Sequence, residues 1–123
     1  MTWNFQNDRP IYTQLLEQIR LRIISGAYQA GSRLPSVREL ASEAAVNPNT
    51  MQKALSELEQ SGLIYSQRTS GRYVTEDTSM IEQVKKEIAE EKIREFFQVM
   101  NSLGLKPEET LELIEKEAKE MKK

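Results

Sequence analysis

The chain has no cysteine and no histidine among its 123 residues. The first absence removes disulfide frameworks and thiolate metal sites. The second removes His-based triads, His metal clusters and imidazole proton shuttles. Glycine is sparse, with five residues, and no Gly-rich phosphate loop is present. No run of eighteen apolar residues could form a transmembrane helix. The opening Met1-Thr2-Trp3-Asn4-Phe5 lacks the basic-then-apolar layout of a signal peptide. An enzyme, a metalloprotein and a membrane protein are therefore disfavoured, and the expectation is a soluble cytoplasmic protein without a cofactor.

What is present is ordinary for a globular protein: 38% hydrophobic and 29% charged residues. The net charge of −2 is unevenly spread. Residues 1–76 hold eight Lys/Arg against seven Asp/Glu, about +1, and residues 77–123 hold nine against twelve, about −3. Contact with an acidic polymer depends on local clustering of cations rather than on the chain total.

Hydrophobic periodicity sets out the elements. Pro10 opens a first helix, to about Ser25, with Ile11, Leu15, Ile19 and Ile23 at i+4 spacing and Glu17, Gln18, Arg20 and Arg22 directed elsewhere. Gly31 and Pro35 bracket a connection. Ser36-Val37-Arg38-Glu39 is a capping box that starts a short second helix. A tight turn at Ala45-Val46-Asn47 leads to a third helix with Asn47 as its N-cap and Pro48 in its first turn, burying Met51, Ala54, Leu55 and Leu58. Leu63–Gln67 and Arg72–Val74 favour strands around the turn residues Arg68-Thr69-Ser70-Gly71. Helix, helix, turn, helix, hairpin is the order of a winged helix-turn-helix.

Beyond the polar junction at Glu76–Ser79, Ile81, Val84, Ile88, Ile93, Phe96, Phe97, Met100 and Leu103 mark a long amphipathic helix closed by Gly104. Pro107 opens a last one with Leu111, Ile114, Ala118 and Met121 on its stripe. The expected fold is mainly α with a small β-hairpin: a winged helix-turn-helix over 1–76 and a two-helix dimerisation region over 77–123. The stripes at Ile88, Ile93, Phe96, Phe97, Met100, Leu111 and Ile114 need a partner. They can find it in an antiparallel hairpin or in a second subunit, and a two-fold homodimer is the commonest assembly. A monomeric helical cap is the bland alternative. Glu87, Glu90, Glu91 and Glu95 alternate with Lys85, Lys86, Lys92 and Arg94, which fits an ion-paired solvated face better than a metal site.

A recognition helix shows its first turns to base edges and phosphates. The outward positions of the third helix are Asn49, Thr50, Gln52, Lys53 and Ser56. Asn and Gln can pair with adenine N6 and N7, and Lys with guanine or a phosphate. Thr50 and the amides at the start of the third helix suit a backbone phosphate, and Arg38 on the second helix can clamp another phosphate or reach a base. Ser36, in the capping box beside Arg38, is grouped with these candidates. Arg68, Thr69, Ser70, Gly71 and Arg72 form a wing small enough for a minor groove. Double-stranded DNA is the partner these residues suit. The rivals are a winged helix used for protein binding, which would leave the third helix apolar or acidic on its outer face, and an architectural DNA binder, which would be strongly basic.

Leu34-Pro35-Ser36-Val37-Arg38-Glu39-Leu40-Ala41, Val46-Asn47-Pro48-Asn49-Thr50 and Leu58-Glu59-Gln60-Ser61-Gly62-Leu63-Ile64 together resemble the DNA-binding domain of the GntR family of bacterial regulators. Pro10-Ile11-Tyr12, the Asn-Pro-Asn-Thr turn and the brief C-terminal region are similar to its YtrA-type subfamily. The resemblance implies a cytoplasmic repressor that binds an inverted repeat as a homodimer, with genes of an ATP-binding-cassette transporter as the target class; it names no effector. It places Arg38, Asn47, Asn49, Thr50 and Gln52 on DNA. The family's wing reads Arg-Gly-x-Gly-Thr-Phe/Tyr-Val, so Thr69 replaces a glycine and Arg72 a threonine. A Cβ at 69 disfavours positive φ there, which puts the wing contact at this position in question.

Overall fold

The computed structural model describes residues 2–123. Five helices and a hairpin follow in order: α1 (Ile11–Ile24), α2 (Val37–Ala44), α3 (Pro48–Ser61), β1 (Ile64–Gln67), β2 (Gly71–Val74), α4 (Thr78–Ser102) and α5 (Pro107–Met121). Two compact units divide the chain, one running to Val84 and the other over Lys85–Lys123.

In the first unit Leu15, Ile19 and Ile23 of α1, Leu40 of α2, Met51, Leu55 and Leu58 of α3, and Leu63, Ile64 and Val74 of the hairpin are almost wholly inaccessible. Helix periodicity supplies the first three groups and strand alternation the last. Ile11, expected on the inner face of α1, is instead 39% exposed. It lies at the first helical position, where α1 has barely begun, and Pro10 is the cap rather than the first helical residue, with ψ at 139°. The capping box of α2 is complete: the Glu39 amide donates to Ser36 Oγ at 3.1 Å and the Ser36 amide to Glu39 Oε1 at 3.3 Å.

The α2–α3 turn depends on Ala45, which takes a left-handed conformation at φ 57° and lets the Val46 amide reach the Ala41 carbonyl at 3.0 Å. This is the geometry that usually ends a helix on glycine. After α3, Gly62 at φ 90° turns the chain into the hairpin. A Cβ there would sit 3.0 Å from Met80 Cε.

The hairpin pairs Ile64 with Val74, Tyr65 with Tyr73, Ser66 with Arg72 and Gln67 with Gly71. The connection after α1 joins it, which its sequence does not announce. Leu34 N donates to Arg72 O at 2.8 Å, Val74 N to Ser32 O at 2.9 Å, and Arg33 bridges to Tyr73. Residues 32–34 thus occupy the free edge of β2, so the wing is anchored on both sides.

Residues 2–9 also pack onto α1. Half-buried Trp3 and Phe5 alternate with exposed Thr2, Asn4 and Gln6, the pattern of extended chain. Gln14, Gln18 and Arg22, one α-turn apart, donate to the carbonyls of Gln6 (2.9 Å), Asn4 (2.6 Å) and Thr2 (3.3 Å). Four helical residues rise about 6 Å and two extended residues about 6.6 Å, so the two repeats run antiparallel in register. The Arg22 guanidinium lies 3.4 Å from the centroid of the Trp3 ring. Arg22, expected off the apolar face of α1, is buried there by this arm, at 4% exposure.

In the second unit the apolar stripes stay uncovered. Ile93 is 54%, Phe96 43%, Leu111 52% and Ile114 36% exposed, while Ile88, Phe97 and Met100 are half-buried. Val99, Leu103 and Leu113 extend the same exposure. Phe96, Met100, Leu113, Ile114, Ala118 and Met121 line an open cleft of about 500 Å³ with Thr110 at its floor. Among the described residues no helix is long and apolar enough to cross a membrane.

Candidate nucleic-acid interface

Helix α3 displays its polar residues as its periodicity requires. Asn49, Gln52 and Lys53 are exposed and Thr50 half-buried, opposite buried Met51, Ala54 and Leu55. Asn47 accepts from the Asn49 amide at 2.8 Å through its side-chain oxygen. Its acceptor thus caps the helix, while its amide N–H groups stay available. Ser36 is similar: Oγ accepts within the capping box, and its own hydroxyl hydrogen remains to be donated.

The arginines fall into two groups. Arg33, Arg38 and Arg68 are exposed, and among the described residues none forms an ion pair or hydrogen bond through its side chain. Arg72 is engaged. It pairs with Glu59 of α3 and donates from Nη1 to Gln52 Oε1 at 3.4 Å, and its side chain is 17% exposed. Glu59 also accepts from Ser66 Oγ at 2.6 Å. The Ser66 hydroxyl and the Arg72 guanidinium together hold the Glu59 carboxyl below the usual carboxylate range, against the opposing effect of partial burial. Lys53 is engaged more loosely, its ammonium 4.7 Å from the centroid of the Tyr12 ring on α1.

Arg33, Ser36, Gly71 and Arg72 share one concavity of about 210 Å³ with Leu34, Pro35 and Val37. The start of α2 and the base of the wing are thereby brought together. Arg33 was not a sequence-derived candidate. Its signal lay in the pairing of residues 32–34 with β2, which carries Arg33 to Gly71, where an added Cβ would meet Arg33 Nε at 3.2 Å.

The wing places its positive φ away from Thr69. Ser70 N donates to Gln67 O at 3.2 Å, and Gly71 follows at φ 113°. Arg68-Thr69-Ser70 is a three-residue loop between the paired Gln67 and Gly71, and the positive φ falls on Gly71 at the start of β2. Thr69 takes no positive φ, since Ala45 is the only non-glycine among the described residues that does. Arg68 and Thr69 are exposed at the wing tip, with Ser70 half-buried.

This geometry has close relatives. The model of "bacterial regulatory proteins, gntR family" matches residues 11–74. An uncharacterised HTH-type transcriptional regulator of Bacillus subtilis, YhcF, is 38% identical over 108 residues, covering 88% of this chain and 89% of its own length. The HTH-type transcriptional repressor YtrA of the same organism is 40% identical over 79 residues, covering 63% of this chain and 61% of its own. A solved GntR family regulator from Listeria monocytogenes is 41% identical with a TM-score of 0.85, covering 91% of this chain and 98% of that one. The DNA-binding domain of AraR in complex with operator ORX1 matches at 28% identity and a TM-score of 0.55, over 61% of this chain and 99% of that one. With the winged helix, its polar recognition face and these matches, the chain belongs to the GntR family of bacterial DNA-binding transcriptional regulators, and is not an enzyme.

Proposed function

We propose that the chain is a cytoplasmic repressor of the YtrA type that binds an inverted-repeat operator as a homodimer. The observation that carries this is the outer face of α3, where Asn49, Gln52 and Lys53 stand exposed, together with the exposed Arg33, Arg38 and Arg68, which form no ion pair among the described residues. Asn49 and Gln52 read base edges in the major groove, and Lys53 reaches guanine or a phosphate from its position over Tyr12. Ser36, Arg38, Asn47, Thr50 and the newly placed Arg33 hold phosphates, which fix register without carrying sequence information. Arg68, Thr69, Ser70 and Gly71 follow the backbone or enter the minor groove. The uncovered stripe of Ile88, Ile93, Phe96, Phe97, Met100, Leu111 and Ile114 supports the dimer. The named repressor among the relatives supports repression, and resemblance to its subfamily points to transporter genes as targets.

Footprinting on the DNA upstream of the chain's own gene tests this. Two protected half-sites about one helical turn apart, ~34 Å, are expected. Protection of a single half-site by one chain would refute the dimeric inverted-repeat reading.

A further inference from the structure

Arg72 occupies an unusual position for a wing arginine. Its guanidinium is turned away from the wing tip and spans from β2 to α3. Nε donates to the Glu59 carboxylate, which Ser66 of β1 also holds, and Nη1 donates to the carbonyl oxygen of Gln52. Three elements are tied at one point, and the exposed end of that tie is a base-reading side chain.

A glutamine amide recognises adenine by doing two things at once: its oxygen accepts from N6 and its nitrogen donates to N7. A guanidinium can only donate. With its oxygen drawn to Arg72, Gln52 has its N–H donors left to offer. Guanine offers two acceptors in the major groove, N7 and O6, and adenine one acceptor beside a donor.

We propose that Arg72 is a specificity-determining residue that sets the orientation of the Gln52 amide, so that Gln52 selects guanine over adenine at the base pair it faces. Glu59 and Ser66 are positioning residues that hold Arg72 in place. The inference rests on the proposed reading of bases by α3. It assigns Arg72 a role other than contact with phosphate, because its cation already has a carboxylate partner.

The full-length chain can select binding sites from a pool of random-sequence DNA duplexes, and the selected site can then be varied one base pair at a time. Arg72→Ala and Glu59→Gln should both shift preference at one base pair from guanine towards adenine, by roughly fivefold or more, the low end of what one bidentate pair discriminates. Gln52→Ala should abolish the preference at that same base pair and render Arg72→Ala silent there. Thermal unfolding of each variant reports whether it is folded. Because Glu59→Gln keeps the shape of the side chain, it serves should Arg72→Ala unfold.

A phosphate contact by Arg72 gives a different pattern. Arg72→Ala would then weaken all sites equally and lower the salt slope, while Glu59→Gln, by removing a negative charge, would strengthen all sites equally. That pattern overturns the proposal. Should Gln52→Ala leave every preference intact, base reading by Gln52 falls, and the proposal with it. If Gln52→Ala acts at one base pair and neither of the other variants does, base reading stands and only the role of Arg72 falls.

Discussion

Ala45 is the residue whose identity and conformation agree least. At φ 57° and ψ 48° it occupies the left-handed region, which costs an L-residue with a Cβ about 1–2 kcal/mol. The turn between α2 and α3 nevertheless adopts it, and in this conformation Val46 N returns to the Ala41 carbonyl at 3.0 Å. Glycine would remove the strain but loosen the unfolded chain by about 0.4–1 kcal/mol. Ala45→Gly should therefore stabilise the first unit by a net ~0.5–1 kcal/mol, visible as a higher midpoint in thermal or urea unfolding. A lower midpoint would mean that the methyl group contributes packing that its exposed position does not suggest. Reading the sequence locates this turn from Asn47 and Pro48 but not its handedness, because alanine is a helix former and signals no αL residue.

At the scale of elements, the helices were legible and their coverings were not. The ends of α2 and α3 follow from Ser36, Glu39, Asn47, Pro48 and Gly62, each a local signal acting within one turn of its own position. The polar face of α1 is different. Gln14, Gln18 and Arg22 look like solvated residues, yet Gln14 is 3% exposed and Arg22 4%. Gln14 alone accepts from Gln6 N at 2.7 Å and donates to Gln6 O and Arg9 O at 2.9 Å each. Replacing it with leucine would keep the bulk and leave those backbone groups without partners. Gln14→Leu should cost about 1–3 kcal/mol and raise amide hydrogen exchange selectively over residues 2–9. Unchanged exchange in that segment would show that Trp3 and Arg22 hold the arm without the hydrogen-bond ladder. The same limit hid the pairing of residues 32–34 with β2: such contacts join positions about forty residues apart, and no window of sequence contains both.

For the whole molecule, the decisive feature is how charge and apolar surface are shared out. The N-terminal part carries about +1 and exposes unpaired arginines, whereas residues 77–123 carry about −3 and expose Ile93, Phe96, Leu111 and Ile114. Exposed Phe96, Leu113, Ile114 and Met121 line one cleft, and apolar surface of this kind supports the proposed homodimer. Changing Ile93 and Phe96 together to aspartate should give a folded monomer by light scattering or sedimentation. Its operator affinity should drop roughly a hundredfold or more, because the two half-sites are no longer bound by one linked pair. A double variant that still sedimented as a dimer would move the interface elsewhere.

The amino-acid sequence by itself determined the order of the elements, the ends of α2 and α3, the apolar stripe of each helix and the polar outer face of α3. All of these follow from interactions within a turn or two of the chain, where propensity, capping and periodicity act. Tertiary structure alone decided that Arg22 is buried under Trp3, that Arg33 stands at the base of the wing, and that Arg72 is bound to Glu59 and Gln52 while Arg38 and Arg68 remain unpaired. Each of these depends on which side chains meet when distant segments pack. An arginine's role is set by the nearest carboxylate or ring in space, which its neighbours in sequence do not specify.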